Sequence, residues 1–441
     1  MITKEVLLIN PPMWSPAAHA SFNALCPPLG LGYLAASLLR EGASVEILDL
    51  SVSDDPTEDL KAALARCSPR IIGITTVTQN WFLAQLIARQ ARQTCSEAFL
   101  ITGGPHVSYL WKEVLSDGVF DAVALFEAEQ TIAELYRRTR DGKSDFHEIA
   151  GLALHNGHAP FLTKARPLEK QLDSIPYPAR QLLPMSRYGR PGPIMTSRGC
   201  PMKCIFCISS TYEGSYRPRS AENVLAELCE LRRVWGIREA YLIDNVFTVN
   251  RERVHTICAG MLREKLDMQF NCVSRADLVT EELVRCLKAA GCIRIEIGVE
   301  SGVQEIIDKL EKHIEVEQVA RAADIVLAAG ITPMFTFQIG SPFETPESLE
   351  QTHRLAASLR AKGAVTFFST MTPFPGTPLV ERAEKLGVRI HASAWSEYRT
   401  SNPIYDTPHM DRNSFRRALF RESVSILQAQ SMGAWTAESS S

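Results

Sequence analysis

Short apolar runs alternate with amphipathic stretches of helical length along most of this chain, an arrangement that admits little besides parallel sheets covered by helices. In the first 140 or so residues the apolar runs fall at 6–9, 45–48, 71–74, 99–101 and 122–125. Helical patterns fill 31–40, 57–66, 81–92, 109–115 and 130–140. Parallel neighbours need a crossover between them, so five such β-α units predict a doubly wound, Rossmann-like α/β domain over 1–145. Ligands of such sheets bind beyond the carboxyl ends of the strands. The loops expected there are Asn10-Pro11-Pro12, residues 75–79 and Thr102-Gly103-Gly104-Pro105. Paired glycines let backbone approach a bulky ligand closely, although the same pair also serves merely to start a helix.

Residues 146–190 read as a connector, with a short hairpin pattern and the run Ile175-Pro176-Tyr177-Pro178. Alternation then resumes. Strand patterns at 194–196, 240–244, 269–273, 294–299, 334–339 and 365–370 are separated by helical patterns at 221–235, 251–264, 281–290, 316–329 and 346–361. Six repeats are too few for a closed eight-unit barrel, so 191–375 is expected to be a partial (β/α)6 TIM-type barrel, followed by a small C-terminal appendage over 376–441. Chemistry in such barrels sits at the carboxyl ends of the strands. That face would collect Asp244-Asn245, Ser274-Arg275, Glu300-Ser301-Gly302 and Gly340-Ser341-Pro342.

One more loop lands on the same face, and it carries Cys200-x-x-x-Cys204-x-x-Cys207. Three thiolates are one short of what a four-iron cluster needs from protein, so the spacing points to a [4Fe–4S] cluster with one iron open to a small molecule. Phe206 would wall the cluster from water. Zinc is the competing reading, but a structural zinc site wants a fourth ligand, and no second Cys-x-x-Cys or His-x-x-x-His follows. The other eight cysteines are scattered and read as buried, inert thiols. Arg217 and Arg219 read as surface charges.

Bulk properties narrow the class. A net charge of −3 offers no broad attraction for nucleic acid. No apolar run reaches membrane-spanning length, and the first residues lead straight into a strand pattern, which reads as a cytoplasmic protein with reduced cysteines.

The motif in Ser197-Arg198-Gly199-Cys200-Pro201, together with Gly298-Val299-Glu300-Ser301-Gly302, Ile339-Gly340-Ser341-Pro342 and Thr372-Pro373-Phe374-Pro375-Gly376-Thr377, resembles the radical S-adenosylmethionine (SAM) superfamily. With Gly103-Gly104-Pro105-His106 in the first domain, the chain is similar to those members that carry an N-terminal cobalamin-binding domain, over about residues 4–380. The resemblance implies three cofactors: the [4Fe–4S] cluster, SAM chelated to its open iron, and cobalamin. Reductive cleavage of SAM then yields a 5′-deoxyadenosyl radical that takes hydrogen from substrate. It also implies roles. Cys200, Cys204 and Cys207 hold the cluster; Asp244 and Asn245 hold SAM; Arg275 pairs with the SAM carboxylate through its fork; Glu300 accepts from the SAM ribose or ammonium; the loop at Gly340 backs the adenine. Thr75 and Thr76, with Gln79 to Trp81, approach the corrin, with core packing or a helix start as their rival role, and Gly103 and Gly104 take its nucleotide tail. For Asp244 the rival role is a helix cap, and for Arg275 with Glu300 a buried ion pair.

Two departures from related patterns follow. The Asp-x-His-x-x-Gly string that places a histidine under cobalt is absent after the first strand, where the loop holds only His19, so no protein histidine is expected on the lower face. Phe126-Glu127-Ala128-Glu129 stands where related chains often have Gly-Glu-Gly-Glu. The implied activity is methyl transfer from methylcobalamin to an unactivated carbon, or phosphorus, of a small-molecule substrate, with a flavodoxin or ferredoxin as reductant. Oxidative cyclisation or rearrangement with the same cofactors is the alternative. Methylthiolation ranks lower because Cys26, Cys67 and Cys95 do not read as ligands of a second cluster.

Overall fold

The computed structural model describes residues 4–13 and 26–438, with side chains to residue 426. His19 and the loop around it lie outside the described residues. The chain forms two compact units, Met1–Pro193 and Ile194–Ser441.

The first unit runs β1 (Val6–Asn10), α1 (Leu29–Arg40), β2 (Val45–Asp49), α2 (Pro56–Arg66), β3 (Ile71–Thr75), α3 (Trp81–Thr94), β4 (Phe99–Gly103), α4 (Pro105–Tyr109), α5 (Trp111–Ser116), β5 (Ala122–Ala124), α6 (Glu129–Arg140), β6 (Leu152–His155) and β7 (Pro160–Leu162). Its sheet has the order β2-β1-β3-β4-β5-β6-β7. β1 to β5 pair in parallel. The central strands β1 and β3 are almost wholly buried, as strands with helices on both faces must be. The order reverses at β1, so the strand ends of β1 and β3 flank the switch point where doubly wound sheets take ligands. Local signals set the helices: α2 starts at Asp55, whose carboxylate accepts from the Thr57 and Glu58 amides, with Pro56 in the first turn.

The stretch read as a connector belongs to this unit. Its hairpin, β6 and β7, extends the sheet antiparallel to β5 and gives the outer edge of that strand its hydrogen-bond partners. Ala179 N–H donates to the Gly32 carbonyl at 3.0 Å. A Cβ on Gly32 would stand 2.8 Å from that of Pro178, so the glycine lets α1 and the proline run touch. Tyr188 donates to Asp49 Oδ2 at 2.7 Å.

The second unit begins with β8 (Pro193–Ile194), β9 (Ser197–Arg198), α7 (Ser209–Tyr212), β10 (Arg217–Pro218) and α8 (Ala221–Arg233). It continues with β11 (Glu239–Leu242), α9 (Arg251–Arg263), β12 (Gln269–Ser274), α10 (Glu281–Ala289), β13 (Cys292–Glu300), α11 (Gln304–Lys309), α12 (Val316–Ala328), β14 (Thr332–Ile339), α13 (Pro346–Ala361) and β15 (Val365–Thr370). The sheet order is β15-β14-β13-β12-β11-β8, with β11 to β15 parallel. The end strands β8 and β15 do not pair with each other, so the barrel is open. Along β13 fully buried Ile295, Ile297 and Val299 alternate with partly exposed Arg294, Glu296 and Gly298. That period of two leaves one face under helices and the other lining the concavity.

Two expectations are corrected here. The strand foreseen at 194–196 ends at Ile194, because Asp244 draws the Thr196 and Ser197 amides out of the ladder. Arg217 and Arg219 are not surface charges but buried, and Arg219 pairs with the fully buried Glu227 at 2.5 Å.

The last segment adds α14 (Pro378–Glu381), β16 (Arg389–Ile390), β17 (Tyr405–Asp406) and α15 (Arg412–Glu438), with β16 and β17 antiparallel. It is bound into the unit. Glu422 on α15 lies 2.6 Å from His353 Nδ1 and 2.9 Å from an Arg360 nitrogen, all three buried or nearly so. Among the described residues no helix is long and apolar enough to cross a membrane.

Candidate functional site

The three clustered cysteines lie on a loop whose backbone is held at many points. Gly199 has φ +75°, and a Cβ there would run into the Gly214 and Ser215 carbonyl oxygens. Its amide donates to Glu213 Oε2 at 3.0 Å, and Cys200 N–H donates to the Gly214 carbonyl at 3.2 Å. Further along, Ile205 N–H donates to Leu310 O at 3.1 Å and Ile205 O accepts from Leu379 N–H at 2.8 Å. Ile205 is buried with Ile306, Leu310, Met371 and Leu379, and Phe206 packs against that group. The loop is therefore tied to three other segments before any ligand binds.

Burial pushes the Cys204 thiol up to about 11 and raises that of Cys200, with Lys312 beside Cys204 opposing the shift. Iron removes such protons outright. The Ser209 amide points at Cys207 Sγ, 3.5 Å away, the kind of donor that tunes cluster sulfurs. Among the described residues no three His, Cys, Asp or Glu side chains form a ready cage for a single metal ion. A cubane does not require one, since each of its cysteines takes a separate iron. Three thiols on one braced, half-buried loop suit that group.

The strand-end residues divide into two kinds. Asp244 is fully buried, and its carboxylate accepts from the Thr196 and Ser197 amides at 2.6 and 2.9 Å and from the Thr196 hydroxyl. Burial holds its carboxyl above the ordinary range against those hydrogen bonds. It is thus neither a helix cap nor free for a ligand; it fastens the segment leading into the cysteine loop. Asn245 links the same loop from the other side, donating to Glu213 Oε2 at 2.6 Å and accepting from Ser209 Oγ at 2.7 Å. Arg275 is similarly engaged. Its fork meets Asp277 at 3.0 and 3.3 Å, and it donates to the Lys312 and His313 carbonyls at 3.0 and 2.8 Å. The fork expected to take a ligand carboxylate is filled by Asp277.

Glu300 does form the buried ion pair, but its partner is Lys312, not Arg275: Nζ lies 2.6 Å from Oε1. Lys312 has no strand-end signature and reads in sequence as one more charge in a polar helix end. Left-handed Glu311 (φ +56°) and His313 (φ +55°) turn the chain so that the lysine points inward. Glu300 is itself left-handed at φ +69°, beside a register shift in β13. An ideal Cβ on Gly298 would stand 2.8 Å from Glu300 Oε1 and 2.9 Å from Lys312 Nζ, so the glycine leaves room for the pair. Gly340 (φ +100°) is clamped too. Its carbonyl accepts from Tyr405 at 2.6 Å and its amide donates to Glu344 Oε2 at 2.8 Å. Glu344 is fully buried, which pushes its carboxyl up to about 8 and keeps it protonated at neutral pH.

In the first unit the ends of β3 and β4 are joined. Thr76 donates through both its amide (2.8 Å) and its hydroxyl (3.0 Å) to the Gly103 carbonyl. Gly104 has φ +120°, and a Cβ there would strike the Thr76 carbonyl oxygen. Thr76 is fully buried, so it braces the loops and does not face a ligand; Thr75 is half-buried at the strand end. Trp81 is buried against His106 and Phe120 at 5.4 and 6.0 Å. His106 is buried as well, with Nδ1 3.2 Å from the Thr78 hydroxyl, and burial lowers its pKa to about 4, so it is neutral.

Above these loops stand exposed Val77 and Phe126. Phe126 holds a left-handed backbone (φ +57°), the conformation that a glycine would adopt freely, and its ring meets Tyr109 edge-on at 5.9 Å. Residues 75–80 and 102–105 carry no charged side chain. An uncharged edge with exposed apolar groups and close backbone suits a large, flat, mostly apolar ring.

Comparison with known proteins bears on both units. Residues 194–356 match the radical SAM superfamily, and residues 17–136 match the B12 binding domain. The chain is 32% identical to the uncharacterized methyltransferase PH0819 of Pyrococcus horikoshii, over 97% of this chain and 93% of that protein. It is 26% identical to the anaerobic magnesium-protoporphyrin IX monomethyl ester cyclase of Rubrivivax gelatinosus, over 92% of this chain and 74% of that one. Among solved structures it is similar in fold to the radical SAM methyltransferase TsrM from Kitasatospora setae with cobalamin and a [4Fe–4S] cluster bound. That likeness has a TM-score of 0.75 and 21% identity, covering 90% of this chain and 81% of that one.

Proposed function

The chain belongs to the radical SAM superfamily and carries its B12-binding domain, and on that premise we propose that it is a cobalamin-dependent methyltransferase acting on an unactivated carbon, or phosphorus, of a small molecule. The observation that carries the reading is the pairing of a three-cysteine loop with an uncharged, glycine-bearing strand edge in one chain whose full length follows a methyltransferase at 32% identity. When bound, the cluster, SAM and cobalamin together supply a hydrogen-abstracting radical and a methyl donor, chemistry that side chains lack.

The protein's share is position and electrostatics. Cys200, Cys204 and Cys207 would hold the cluster, with the fourth iron left to SAM. Phe206 and the apolar residues beneath it keep water from that corner. Lys312 and Glu300 present a cation and an anion in a buried setting, matched to the carboxylate and ammonium of an amino acid. Asp244, Asn245 and Arg275 hold the loops that frame this pair. Gly340, clamped by Tyr405 and Glu344, offers a rigid strand-end backbone for the adenine. Gly103, Thr75 and Phe126 would border the corrin.

The decisive experiment is anaerobic incubation of cluster-loaded protein with cobalamin, SAM and a reduced flavodoxin or ferredoxin, followed by product mass analysis with candidate substrates. Methyl transfer adds one CH₂ per product and yields 5′-deoxyadenosine. A product that loses hydrogens or gains oxygen would establish oxidative cyclisation instead, a reading favoured by the 26% identity to the cyclase along 92% of the chain. Absence of SAM cleavage with a full cluster would remove both. We place the protein in the cytoplasm, the compartment that keeps thiols reduced and would supply the reductant.

A further inference from the structure

Four cysteines of the second unit, far from the 200–207 loop in sequence, gather where α9 and α10 pack over the sheet. Cys258 on α9 is buried and couples electrostatically to Cys286 on α10, which is partly exposed. Cys272 of β12 and Cys292 of β13, neighbours in the same sheet, are both fully buried, and the Cys292 thiol donates to the Arg294 carbonyl at 3.4 Å. An independent contact sets the register of the helices: His255 Nε2 on α9 lies 4.0 Å from Glu282 Oε1 on α10. His255 and Cys258 are three residues apart on one helix, and Glu282 and Cys286 four apart on the other, so each pair shares a face. The contact at 255–282 therefore brings 258 opposite 286 one turn further on.

We propose that Cys286 and Cys258 form a redox-active dithiol, with Cys286 the attacking and Cys258 the resolving thiol, that takes low-molecular-weight disulfides as oxidants. The environment separates the two roles. The neighbouring Cys258, aided by the His255 imidazole, lowers the Cys286 thiol to about 6 against the opposing effect of burial. Cys258 is shifted the other way by Cys286 and by its burial. A partly exposed thiolate backed by a buried thiol is the arrangement of a dithiol that closes on itself.

The step balances as follows. Cys286 thiolate attacks one sulfur of R–S–S–R; a Cys286–S–S–R bond forms as the original S–S bond breaks, and RS⁻ leaves and takes up the proton that Cys286 had released. Cys258 Sγ then attacks Cys286 Sγ; the Cys258–Cys286 bond forms, the second RS⁻ departs and takes the Cys258 proton. Two protein thiols are oxidised and one small disulfide is reduced to two thiols. The bridge would join the helices leading into β12 and β13, which deliver Arg275 and Glu300 to the cluster face.

Anaerobic, cluster-loaded full-length protein is treated with oxidised glutathione, quenched with an alkylating agent and mapped by peptide mass. The expected product is a Cys258–Cys286 cross-linked peptide. In Cys258→Ser a glutathione adduct should accumulate on Cys286, and in Cys286→Ser both cross-link and adduct should vanish. Cys229, a half-buried cysteine on α8, reports the background rate; Cys286 should react several-fold faster at pH 7, and His255→Gln should reduce that advantage with unchanged circular dichroism. A wild-type protein that gives only single adducts, or a Cys286 no faster than Cys229, overturns the proposal.

Discussion

Lys312 Nζ sits 2.6 Å from Glu300 Oε1, with both side chains less than 10% exposed and both residues flanked by or holding left-handed backbone. A buried pair of this kind is costly to break from one side, because the survivor is left charged without a partner. Lys312→Met should therefore destabilise the second unit by about 3 kcal/mol or more. SAM cleavage should fall at least ten-fold with iron content retained. Lys312→Met combined with Glu300→Gln should recover part of the stability and none of the cleavage. Full cleavage by the single variant would show that the pair only buttresses the barrel.

Gly199 tests whether the loop is preorganised for the cluster. Alanine there meets two backbone carbonyls, which cannot swing aside as a side-chain tip can. The left-handed φ alone costs about 1–2 kcal/mol for a residue with a Cβ. Gly199→Ala should fold, since the seven-stranded and six-stranded sheets are untouched, yet bind substantially less iron and sulfide per chain after anaerobic reconstitution. Normal loading would mean that the loop is shaped by the cluster rather than before it.

Glu344 gives the protein a pH signature. Its native pKa, about 8, exceeds the ordinary 4.5 because burial disfavours the carboxylate. The unfolded chain therefore releases this proton first as pH rises. Its contribution is fully favourable below about 4.5 and is lost progressively up to about 8. Glu344→Gln stays neutral and can still accept from the Gly340 amide. Its stability relative to wild type, read from thermal unfolding, should rise steadily from pH 5 to pH 8, by an amount on the order of a few kcal/mol at the upper end. A pH-independent difference would contradict a buried, protonated acid.

Phe126 occupies a left-handed position with an exposed ring. Phe126→Gly removes the backbone penalty of about 1 kcal/mol, so the first unit should be no less stable. If the ring borders the corrin, cobalamin affinity measured by equilibrium dialysis should weaken several-fold. Unchanged affinity would show that the ring does not border the corrin.

Periodicity and motif spacing were enough to determine the two α/β units, the open six-strand barrel and the loop that carries Cys200, Cys204 and Cys207. Those features follow from local chemistry: apolar alternation, crossover length and the needs of iron. Which strand-end residues are free was not legible. Asp244 and Arg275 have the right type and place for a ligand, but only the folded chain shows their donors and acceptors filled by Thr196, Ser197, Asp277 and two carbonyls. Lys312 was invisible for the converse reason: its inward aim depends on left-handed turns at residues 311 and 313 that no composition signals. The hairpin after β5 and the thiols of α9 and α10 were likewise hidden. Strand edges and helix faces find partners distant in the chain, and that choice rests on three-dimensional contact, which a linear pattern does not encode.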